Sequence, residues 1–149
     1  MNLKVALVKK CNEFVDQKLH TINTLMRSNQ NALENESKSS AGDKHETGRA
    51  MLHLEMEKAS QQLSVVTKMK VALDKIDVSS NTEVIKLGSI IHTDKGSYFL
   101  SISAGAIMIK NKEYFAVSPS SPIGTLLLGK KKGSVISVAQ REIKILEVI

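Results

Sequence analysis

Two carboxylates three residues apart, Asp43 and Glu46, follow Gly42 in the run Ser39-Ser40-Ala41-Gly42-Asp43-Lys44-His45-Glu46-Thr47-Gly48-Arg49. At that spacing they form a capping box, with Asp43 accepting from the backbone near Glu46 and Glu46 reaching back to the Asp43 amide. A capping carboxylate keeps one oxygen exposed, so the cap leaves room for a working site at the same turn. Lys44, His45 and Arg49 lie beside the pair. A histidine in a turn is either solvated or a pH-sensitive contact for phosphate.

The surrounding periodicity indicates what must carry this pair. Apolar residues step through Val8, Cys11, Val15, Leu19, Ile22, Leu25 with Met26, and Ala32 with Leu33. A second series runs Leu52, Met56, Ala59, Leu63, Val66 and Leu73. Steps of three and four are helical, and the second series keeps heptad spacing. Between the series, Ser, Gly and Asp collect in "ALENESKSSAGD". Two amphipathic helices across a short polar turn predict an antiparallel coiled-coil hairpin over residues 1–78, with its tip near 39–49. At ~1.5 Å per residue each arm is ~45 Å long. The stripes are narrow and the sequence offers no third helix to cover them, so the hairpin is expected to project with the acidic pair at its far end.

The totals narrow the chemistry. A chain of 149 residues, 42% hydrophobic and 24% charged, describes a soluble globular protein of one domain or two small ones. With aromatics at 3% and no Trp, the core must be aliphatic, which argues against a deep aromatic-lined ligand pocket. The net charge of +6 is shared by both halves, and the longest basic run is Lys130-Lys131-Lys132. That balance favours acidic partners, large complexes included, without marking a reader of nucleic acid. The three lysines read equally well as a solvated turn. The single cysteine, Cys11, can neither close an internal disulfide nor anchor a metal cluster. Its position on the first helical stripe makes it a small core residue. "MNLKVALVKKCNEF" is too short in apolar run and too rich in lysine for a signal peptide. No stretch approaches the ~18 apolar residues of a membrane span, so no membrane and a cytoplasmic location are the default expectations.

The composition changes at "DVSSNTE", residues 77–83, which reads as a linker. Residues 79–149 then carry short β-like runs: "EVIKLGSIIHT", "GSYFLSIS", "GAIMIKNKEYFAVS", "GSVISVA" and "EIKILEVI". One segment differs. In "SPSSPIGTLLLGKKKG", Ser121 can cap a helix with Pro122 at its first position, Ile123 to Leu128 form the helix, and Gly129 ends it. The fold class is therefore α+β: a helical hairpin followed by a small antiparallel sheet with one short helix packed on it.

The stretch from Ser120 to Ile136, "SSPIGTLLLGKKKGSVI", followed by "EIKILEVI", closely resembles the C-terminal domain of the bacterial Gre transcript-cleavage factors, GreA and GreB. The resemblance covers both halves in the same order, and Gly42-Asp43-x-x-Glu46 matches the family's tip pattern Gly-Asp-x-x-Glu-Asn-Ala. It implies an FK506-binding-protein-like C-terminal domain and a bacterial, cytoplasmic protein whose partner is RNA polymerase. The hairpin tip would enter the polymerase's secondary channel, with nucleic acid met only indirectly. There Asp43 and Glu46 would help hold a Mg²⁺ shared with the polymerase, whose own active site cleaves the backtracked transcript. Lys44, His45 and Arg49 would be tip contacts, and Ser121, Pro122, Ile123, Gly129 and Lys130 the partner-binding motif of the C-terminal domain. The chain would have no catalytic residues of its own and no small-molecule substrate.

Gly48 and Arg49 depart from the family pattern, which keeps open a channel-binding regulator that does not stimulate cleavage. A protein-interaction module for another partner is a further alternative. Prolyl isomerase activity is disfavoured, because Tyr98, Phe99, Tyr114 and Phe115 are the only aromatics of that half and fold does not carry function. Acyl transfer on Cys11 lacks an evident oxyanion loop.

Overall fold

The computed structural model describes residues 2–37 and 42–149, with side chains described for 2–35 and 47–149. It is α+β. Two long helices, α1 (Leu3–Ser37) and α2 (Gly42–Asp74), precede strands β1 (Ile90–Thr93), β2 (Gly96–Leu100), β3 (Gly105–Ile109) and β4 (Lys112–Val117). The short helix α3 (Pro122–Leu127) follows, then β5 (Val135–Val138) and β6 (Arg141–Val148). The chain divides into two compact units, Val15–Lys70 and the combination of Met1–Phe14 with Val71–Ile149. Each division falls inside a helix, not in a loop.

In the helical unit, residues 17–22 of α1 share a groove with residues 62–69 of α2, and residues 30–34 share another with Arg49 and His53. Rising numbers on one helix thus meet falling numbers on the other, which is an antiparallel pair. Ile22, Ala59 and Val66 are buried along the seam. Each belongs to the apolar series that predicts the helices, because residues three and four apart lie on one helical face. Asn29 is also buried, and its Nδ2 has no hydrogen-bond partner among the described residues. Residues 38–41, where the expected tip at 39–49 begins, lie outside the described residues.

In the other unit the strands form one six-stranded sheet in the order β3-β4-β2-β1-β6-β5. The sheet is not wholly antiparallel: β2 pairs with β4 in parallel, Ser97 opposite Tyr114 through Leu100 opposite Val117. The reason is topological. After β2 the chain moves outward to lay down β3 at the edge, and β4 returns between them. Alternation of residue types shows which side chains share a face, but not the direction of the neighbouring strand.

Both faces of the sheet are covered. On one, Ile91, Leu100, Ile143 and Ile145 pack with Ile85, Ile136 and Leu127 of α3. The other carries Ile90, Phe99 and Ala116, placed on one face by direct pairing and all buried. The first turns of α1 supply buried Leu7 and Cys11, and the Cys11 thiol lies 3.8 Å from the Ser101 hydroxyl. Cys11 is thus a core residue of the sheet unit. The helical stripe runs on unbroken while the surface that covers it changes, so periodicity alone cannot name the cover. The start of α1 is tied to the segment after α2: Asn2 Nδ2 donates to the Val78 carbonyl at 3.0 Å and Lys4 Nζ to that of Ser80 at 2.5 Å.

Candidate functional site

The expected tip falls at the start of α2. The helix begins at Gly42, so the backbones of Asp43, Lys44, His45 and Glu46 belong to its first turns. The side chains of these four residues lie outside the described residues, and with them the capping box and any magnesium ligands. Arg49 is described and exposed. It lines a shallow recess of about 340 Å³ together with Leu33 and Glu34 of α1 and His53 of α2, so its surroundings include an acid from the opposite helix. Among the described residues no three His, Cys, Asp or Glu side chains gather closely enough to hold a metal ion.

The second expected site is fully described, and its local construction accounts for most of its residues. Ser121 is the N-cap of α3, with φ −68° and ψ 159°. Its hydroxyl accepts from the Gly124 amide at 3.0 Å and donates to the Ser118 carbonyl at 2.6 Å. A cap of this kind satisfies one of the amides that a helix start leaves unpaired. Pro122 occupies the first turn, where no amide proton is needed. Ile123 is half-buried and packs against the core cluster. Gly124 is buried because nothing larger fits: a Cβ there would lie 1.9 Å from the Ser118 carbonyl oxygen. Gly129, with φ +82°, turns the chain out of the helix, and its amide donates to the Ile85 carbonyl at 2.9 Å. The Ile85 amide donates in turn to the Lys130 carbonyl at 2.9 Å, leaving the Lys130 side chain exposed.

Pro122, Leu126, Leu128 and Lys130 are exposed, whereas Leu127 is fully buried. Leu126 and Leu128 are 38% and 47% accessible. The signal for them was present: three leucines in succession cannot all face the core from a helix of six residues.

No family model matches the chain, and no curated protein matches it. Solved structures do. The chain is similar to the GreA factor homolog 1 (Gfh1) protein of Thermus thermophilus at 18% identity and a TM-score of 0.35, over 95% of this chain and 94% of that one. It is likewise similar to a structure of the transcription factor Gfh1 at 17% identity and a TM-score of 0.35, over 95% of this chain and 92% of that one.

Burial is the largest cause of the shifts at Lys4 and Cys11. Burial lowers the pKa of Lys4 from 10.5, Lys86 nearby lowers it further, and Asp77 partly offsets both. Burial raises the pKa of the Cys11 thiol from 9.0 against the opposing hydrogen bond with Ser101. A thiol so placed is protonated at neutral pH and a poor nucleophile. The surroundings of Cys11 are those of a packed core, without the electropositive setting of a reactive cysteine. Among the described residues no helix is long and apolar enough to cross a membrane.

Proposed function

We propose that this protein is a Gre-like factor that binds RNA polymerase, inserts its hairpin tip into the secondary channel and modulates cleavage of backtracked transcripts. The observation that carries the reading is the position of Gly42-Asp43-x-x-Glu46 at the junction of two antiparallel helices, α1 ending at Ser37 and α2 beginning at Gly42. The Ser121-Pro122-Ile123-Gly124 motif supports it as the capped first turn of a helix on a separate sheet unit. A carboxylate pair where two long antiparallel helices join suits a metal held inside another protein. In this reading Asp43 and Glu46 supply oxygens to a Mg²⁺ shared with the polymerase, and hydrolysis is the polymerase's own. Leu126, Leu128 and Lys130 join Pro122 as candidates for the surface that holds the sheet unit to its partner.

The test uses stalled, backtracked complexes of bacterial RNA polymerase. Wild-type protein is expected to co-elute with polymerase and to change the rate of transcript cleavage. The variant Asp43→Ala with Glu46→Ala is expected to keep binding and to lose any stimulation, by a factor of about 100 or more if the metal-bound water is the nucleophile. Stimulation that survives in the double variant removes the metal role. Failure to co-elute removes the polymerase reading altogether.

A second reading keeps the binding but omits stimulation. Lys44 and Arg49 favour it, since each is a cation that competes with Mg²⁺ for the same carboxylates. Co-elution with no gain in cleavage in any backtracked complex selects this reading.

A further inference from the structure

We propose that the cleft between the first turns of α1 and the β3–β4 hairpin receives an acidic, extended segment of a protein partner, which adds a strand along the open edge of β3. Three observations converge there. β3 stands at the end of the sheet order, and nothing among the described residues pairs with its outer side. Its sequence, Gly105-Ala106-Ile107-Met108-Ile109, has no charge and no proline, and Gly105, Ala106 and Met108 are exposed. Natural sheet edges are usually blunted by charge, proline or a bulge, because an open row of amides and carbonyls accepts another strand. β5 at the opposite edge is also uncharged, and it is the cleft that selects β3.

The cleft measures about 530 Å³ and adjoins the end of β3 at Met108 and Ile109. Leu3, Ala6 and Tyr114 give it an apolar floor. Lys10, Lys110 and Lys112 complete its lining, which holds no carboxylate. Lys10 lies 3.9 Å from Glu13, but both side chains are more than half exposed, and such a pair neutralises little. Glu113 points away from the face of Lys112 and Tyr114, beside Met108, and it does not line the cleft.

An occupant that fits all of this has a main chain to pair with β3, apolar side chains on one face and carboxylates for the lysines. A nucleic acid satisfies only the last requirement. Tyr114 is 3% exposed and offers no platform for stacking a base. This surface is separate from both the hairpin tip and α3, so the proposal succeeds or fails independently of the polymerase reading.

The test titrates the full-length ¹⁵N-labelled protein with a synthetic peptide alternating Glu with Val or Ile. The same peptide with Lys for Glu and a single-stranded oligothymidylate serve as comparison probes. The acidic peptide is expected to shift amide resonances of residues 105–112 and 3–10. Its affinity is expected to fall about tenfold in Lys10→Glu with Lys112→Glu, and less in Lys10→Gln with Lys112→Gln. Both variants change exposed side chains, and an unchanged spectrum elsewhere confirms that they fold. Equal binding of the lysine peptide, shifts confined to another surface, or undiminished affinity in the Glu variant each overturn the proposal. Binding of the oligothymidylate at the cleft without the acidic peptide also overturns it and assigns the lysines to nucleic acid.

Discussion

Gly124 and Lys4 hold positions that their residue types make costly to change or to keep. Gly124 lets the Ser118 carbonyl approach so closely that a Cβ would meet its oxygen at 1.9 Å. Gly124→Ala is therefore expected to cost about 2–3 kcal/mol, read as a lower urea midpoint, unless the Ser118 loop yields. Lys4 makes the opposite point, a cation kept where charge is disfavoured. It is 4% exposed, and burial together with Lys86 lowers its pKa below 10.5. The unfolded chain then holds more protons than the native one between the lowered value and 10.5, so stability rises with pH across that window. Lys4→Met should remove this rise, and urea midpoints of the two proteins between neutral pH and 10.5 will show it. A pair of curves with the same slope would mean that Lys4 escapes to solvent. Neither effect was legible in the sequence. The Gly in Ser-Pro-Ile-Gly reads as an ordinary residue of a short helix, and Lys4 reads as a surface charge.

Among the elements, those whose cues are local could be read directly. Period-four and period-three steps marked α1 and α2, a Ser-Pro start and a Gly end marked α3, and the turn residues Asp94-Lys95-Gly96 and Asn111-Lys112 separated strands that the structure contains. What could not be read were relations between elements distant in sequence. The parallel pairing of β2 with β4 and the covering of one sheet face by the start of α1 have no local signature. The hairpin seam shows a further case in Asn29, which falls between Ile22 and Leu33 in a position that packing makes apolar. Its buried Nδ2 has no partner among the described residues, and an unsatisfied buried amide is costly. Asn29→Leu should stabilise the helical unit by about 1–2 kcal/mol, measured as hydrogen-exchange protection of amides in residues 20–33. A loss of protection would instead make Asn29 a device that fixes the pairing register of the helices, as a single buried Asn does in coiled coils.

For the molecule as a whole, the division into units bears on which pieces can stand alone. The composition change near residue 78 invites a cut there, yet Leu7 and Cys11 of the opening helix close one face of the sheet. A fragment of residues 79–149 is expected to expose Ile90, Phe99 and Ala116, to bind a dye specific for apolar surface, and to melt below the intact protein. Adding back a peptide of residues 1–14 should reverse part of that loss. Equal melting temperatures would show that the opening helix adds nothing. The same arrangement has a temporal side. During synthesis Leu7 and Cys11 leave the ribosome long before β6, which sits beside β1 inside the sheet. Those two apolar residues therefore wait for their full sheet cover until β6 has been translated. The sheet unit assembles only once β6 has emerged, and until then it is most exposed to aggregation.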